Sequence, residues 1–63
     1  MRYTLYITGN KTKIINRLHL TQLLALVRER SPEDADVIAE YLLEAPRIGE
    51  IYVSNNFGVQ RIS

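Results

Sequence analysis

The chain has no cysteine, no tryptophan and a single histidine in 63 residues. Without cysteine, no disulfide can staple the fold and no thiolate can hold zinc. One histidine is too few for the usual all-protein metal cage. The three glycines, Gly9, Gly49 and Gly58, stand far apart, so no glycine-rich loop can cradle a phosphate. No apolar run approaches the roughly 20 residues that span a bilayer, and residues 1–8 are too short and too polar for a secretory signal. We therefore expect a cytoplasmic protein with no cofactor, no metal and no membrane contact. Asn10-Lys11-Thr12 matches the glycosylation triplet but, with no export signal, reads as a turn.

Catalytic sets are equally thin. A nucleophile needs a base within reach, and the base needs an orienting partner. His19 is the only imidazole and belongs at a helix start. Of the three serines, Ser31 suits a helix cap and Ser54 a hairpin, and Ser63 is the last residue. Glu40 and Glu44 are one helical turn apart, a spacing fit for acid–base work, but the same periodicity puts both on a solvent face. The sequence reads as non-enzymatic, with no catalytic residue. Its length fits one small domain, residues 1–63. A chain of that size buries only about 60% of its unfolded surface, so a homodimer is expected.

What is present centres on Ser31 to Ala45. Ser31 can cap a helix by accepting from a free backbone N–H, and Pro32 suits the first helical position. Glu33, Asp34 and Asp36 favour the positive end of the helix dipole, and Pro46 should stop the helix. At 100° per residue, Ala35, Ile38, Ala39, Leu42 and Ala45 gather on one side and Glu33, Glu40 and Glu44 on the other. Val37 and Tyr41 border the acidic stripe. Tyr41 reads as cover for the core rim or as an aromatic anchor ringed by carboxylates.

Before this helix, Arg2 to Thr8 alternates with a strand period, Tyr3, Leu5 and Ile7 on one face and Thr4, Tyr6 and Thr8 on the other. Gly9-Asn10 suits a tight turn, which would set Leu5 opposite Ile14 and Tyr6 opposite Lys13. Lys11 to Leu18 is then a second strand; a short kinked helix over 12–18 is the other arrangement. Leu20 to Arg30 is a helix whose core stripe is Leu20, Leu23, Leu24 and Val27, with Thr21 a weak cap candidate. After Pro46, Ile48 to Ser54 and Val59 to Ser63 read as a hairpin turning at Asn55-Asn56, which pairs Glu50 with Arg61 and Tyr52 with Val59. Phe57 falls either in the core or at the hairpin tip. The outline is α+β: two helices packed on one face of an antiparallel sheet built from the N- and C-terminal hairpins, in the order ββααββ, or βααββ if residues 12–18 are helical.

The net charge of +1 hides an uneven distribution. Residues 1–30 hold six basic groups against Glu29, whereas residues 31–50 hold six acidic groups against Arg47. Such asymmetry suits a charged partner or two surfaces that attract each other. The acidic helix points to a protein partner with a basic surface, contacted through Glu33, Asp36, Val37, Glu40, Tyr41 and Glu44. So short a chain without a catalytic set would suit a phage or mobile-element modulator or inhibitor of a host protein complex. The other reading is a DNA- or RNA-binding regulator using Tyr6, Lys11, Lys13 and Arg17 on the first hairpin. In element order the chain is similar to helix-turn-helix and winged-helix modules and to small phage repressors of the Cro kind. No motif residue accompanies that likeness, and the acids of the second helix would repel phosphates.

Overall fold

A computed structural model describes residues 1–63. The elements follow the order β1 (Tyr3–Ile7), β2 (Lys13–Leu18), α1 (Leu20–Arg30), α2 (Pro32–Leu43), β3 (Ile51–Ser54) and β4 (Phe57–Arg61). The strands form one antiparallel sheet in the order β2-β1-β4-β3. The two hairpins join through β1 and β4, which leaves β2 and β3 as the edges. Both helices lie on one face, α1 over β1 and α2 over β3. Residues 13–18 are thus strand rather than helix, the outcome expected from two apolar clusters on opposite sides of a single helix.

The core is the inner face of the sheet closed by the helices. Tyr3, Leu5 and Ile7 from β1 meet Phe57 and Val59 from β4, under Leu23 and Val27 from α1 and Ala35, Ile38 and Leu42 from α2. Alternation in the strands and the 3.6-residue period in the helices aim these side chains at one another. Phe57 is a core residue, not a tip aromatic.

Helix ends follow local chemistry. Ser31 Oγ accepts from the Asp34 N–H at 3.4 Å, and Pro32 opens α2. Ser31 alone separates the helices, so they form a tight helical hairpin. At the start of α1, Gln22 Oε1 accepts from the His19 N–H at 3.0 Å, so His19, and not Thr21, holds the cap position. α2 stops at Leu43; Ala45 takes φ +53° and is exposed, not on the apolar side.

The C-terminal hairpin has the expected register. Ser54 faces Phe57 and Tyr52 faces Val59, with Asn55 at φ +50° in the turn. The N-terminal hairpin differs by one residue: Leu5 faces Ile15, Tyr6 faces Ile14 and Ile7 faces Lys13. Gly9-Asn10 is not a two-residue turn; residues 8–12 form a longer loop. On the other side of β1 the ladder with β4 runs one step further: the Thr8 N–H and hydroxyl both donate to the Asn56 carbonyl, at 2.8 and 3.0 Å. A one-residue slip turns every side chain of a strand over, so Ile14 stands on the outer face. Farther along β2 the register shifts again at a bulge, where Arg17 takes φ +58°. A bulge on an edge strand twists it away from further pairing.

Candidate functional site

The acidic helix presents its carboxylates as a ridge. Glu33, Val37, Glu40 and Glu44 recur at helical spacing along the side of α2 opposite Ala35, Ile38 and Leu42, and all four are exposed. The ridge has two flanks. Toward α1, Asp36 Oδ1 accepts from Arg28 Nη2 at 3.2 Å, the only ion pair of the molecule. Leu43 lies on the same flank and is 81% exposed. Toward β3, the Tyr41 ring stacks on Tyr52 with centroids 4.4 Å apart, and its hydroxyl donates to the Glu50 carboxylate. Burial first, then the Glu50 carboxylate, push the Tyr41 hydroxyl up to about 12. Tyr41 therefore fastens α2 to the edge of the sheet. Of the six residues expected to form a contact surface, four share the outward ridge, and Asp36 and Tyr41 flank it with partners inside the chain.

Asp34 has a different task from its acidic neighbours. It is buried, and its Oδ1 accepts from Ser54 Oγ at 3.0 Å and from Asn55 Nδ2 at 2.6 Å. The Ser31 hydroxyl foremost, with Asn55 and Ser54, holds its carboxyl below the ordinary range against the upward push of burial. This carboxylate ties the start of α2 to the β3–β4 turn, across a hollow of about 520 Å³ that Arg30 and Asn56 also line.

The basic residues are dispersed. Lys11 lies in the β1–β2 loop, Lys13 opens β2 and Arg17 sits in the bulge. Lys13 pairs with Ile7, so it belongs to the inner side of the sheet, whereas Tyr6 stands on the outer side. The expected neighbourhood of Tyr6 and Lys13 does not form. Tyr6 instead lies against Gly58, with its hydroxyl 3.2 Å from Gln60 Oε1. Arg2, not singled out from the sequence, joins Arg17 by donating from Nη1 to its carbonyl at 3.1 Å. The outer face of the sheet was also not singled out, because Ile14 reaches it only through the shifted register. The alternation of Ile51 and Val53 was its one legible signal.

No helix is long and apolar enough to cross a membrane. No family model matches this chain, and neither a curated protein nor a solved structure matches it.

Proposed function

We propose that the protein is a small, non-enzymatic, cytoplasmic binding module that docks on another protein through the outer ridge of α2. One observation carries this reading: Glu33, Glu40 and Glu44 line an exposed ridge around Val37, and the one ion pair on this helix is made by Asp36 at its flank. Carboxylates without internal partners would steer a basic surface toward the helix, and Val37 and Leu43 would supply apolar contact. Such a module would serve a phage or mobile element as a modulator or inhibitor of a host complex. Tyr41, committed to Tyr52 and Glu50, sets the position of the ridge and contributes less direct contact area.

The second reading is nucleic-acid binding through Lys11, Lys13 and Arg17, favoured by the proximity of Arg2 and Arg17 around a hollow of about 440 Å³. Tyr6 would supply a stacking surface on the outer face. Charge reversal separates the two. Purified protein is used to capture partners from lysate, with and without nuclease. Capture that survives nuclease and is lost in the Glu40→Lys, Glu44→Lys double variant is the expected result. Capture that needs intact nucleic acid and is lost in Lys11→Glu, Lys13→Glu would replace the first reading with the second.

A further inference from the structure

The two edges of the sheet are unlike. The β2 edge is guarded: Lys13 opens it, and the bulge at Arg17 twists it out of line. The β3 edge, Ile51–Ser54, carries no charge, no proline, no glycine and no bulge. Its backbone is half used. Ladder bonds alternate along an antiparallel pair. The Arg61 N–H donates to the Glu50 carbonyl at 3.3 Å, so Glu50, Tyr52 and Ser54 turn their backbone groups toward β4. Ile51 and Val53 turn theirs away from the sheet, and no hydrogen bond of the chain reaches them. Each of the two offers one N–H and one carbonyl in the plane of the sheet. An extended backbone is the partner that meets donors and acceptors at that spacing.

We infer that the β3 edge takes up an extended segment of a partner protein, as an added strand whose residues alternate between apolar and basic. The two sides of the edge set that alternation. On the outer side stand the Ile51 and Val53 side chains, 56% and 70% exposed. Added side chains on that side meet apolar neighbours. On the helix side stand Tyr52, stacked on Tyr41, and Glu50, which accepts from the Tyr41 hydroxyl. Glu44 lies close enough to act on the same hydroxyl. Residues 31–60 hold Arg47 as their one cation against six carboxylates. Added side chains on the helix side therefore gain from positive charge.

The same charges argue against a second copy as the occupant. β3 paired with its own image, about a two-fold axis normal to the sheet, would satisfy the free groups of Ile51 and Val53. It would also bring α2 beside α2, carboxylates toward carboxylates, and like charges oppose association. A basic strand gains the same backbone bonds without that repulsion. The contact is small and reversible, with half-saturation expected between about 10 μM and about 1 mM. The edge is distinct from the outward ridge of α2, so this inference does not depend on the docking proposed above.

The test is titration of the whole chain with a synthetic peptide of about eight residues that alternates valine and lysine, read by amide hydrogen exchange residue by residue. Exchange at the Ile51 and Val53 amides should slow by about tenfold near saturation. A peptide with glutamate in place of lysine should not bind. Nor should the valine–lysine peptide N-methylated on the nitrogens that face β3. Neither control needs a variant to fold. Val53→Pro removes an N–H that no ladder bond uses, so the chain should stay folded by circular dichroism and bind the peptide at least about tenfold more weakly. Glu33→Lys with Glu40→Lys reverses the ridge alone and should leave peptide binding unchanged, which separates the fate of this inference from that of the ridge. Unslowed exchange at Ile51 and Val53 up to about 1 mM peptide would overturn the proposal. So would equal binding of the glutamate or the N-methylated peptide, or a folded Val53→Pro that binds as well as the native chain.

Discussion

The two faces of the sheet are made by the same strands from alternate residues, and they have opposite fates. The inner face of β1 carries Tyr3, Leu5 and Ile7 and is sealed by both helices. The outer face carries buried Thr4 and half-buried Tyr6, flanked by exposed Ile14 and Val53, and no helix lies over it. Strand periodicity alone does not say which apolar residues hold a fold together and which are left for a partner. The register of the neighbouring strand decides it.

The contrast can be tested most severely inside. Leu5 is fully buried at the centre of the core. Leu5→Ala should cost about 2–5 kcal/mol, enough to threaten a domain whose whole stability lies near the low end of the usual range. Urea denaturation followed by circular dichroism would show a large fall in the midpoint or an unfolded chain. Val53→Lys on the other face should change the stability of the monomer by no more than about 0.5 kcal/mol in the same assay. Equal losses at the two positions would erase the distinction between the faces.

The seam between helices and sheet should respond to pH at both extremes. Asp34 has a folded pKa below its unfolded value, held there by Ser31, Asn55 and Ser54. Its contribution is present above the unfolded value and is lost as pH falls through the folded one. Tyr41 is raised from 10.0 to about 12. Its contribution is full below 10.0 and is lost as pH climbs toward about 12. Thermal unfolding against pH should show both falls. Asp34→Asn should flatten the acid one and Tyr41→Phe the alkaline one. Unchanged profiles would mean that these contacts do not fasten the helix layer.

The smallest effect should come from Ala45, which stands at φ +53° just beyond α2. Glycine is favoured there because it has no Cβ to crowd the backbone. Ala45→Gly should raise stability by about 0.5–1 kcal/mol, read as a rise in the urea midpoint.

Much of the closed face was legible in the sequence. Ser31 and Pro32 marked the start of α2, the helical stripes named Leu23, Val27, Ile38 and Leu42, and Asn55-Asn56 gave the register of the second hairpin. The acidic ridge followed from the same helical period. The open face was not legible. Its composition depends on the length of the first loop, residues 8–12, which sets Ile14 opposite Tyr6 and so turns it outward. Gly9-Asn10 suits a two-residue turn as well as a longer one, so local pattern does not give that length. Nor could local pattern show that β1 pairs with β4, or that Tyr41 and Asp34 are committed to partners on the second hairpin.

The central claim is that the register of β2 decides which of its apolar residues hold the fold. Ile15 packs against the core, whereas Ile14 stands 55% exposed on the outer face. The claim is tested most directly by the urea midpoints of Ile14→Ser and Ile15→Ser. Ile15→Ser should lower stability by more than about 1 kcal/mol and Ile14→Ser by no more than about 0.5 kcal/mol. The reverse order would contradict the account.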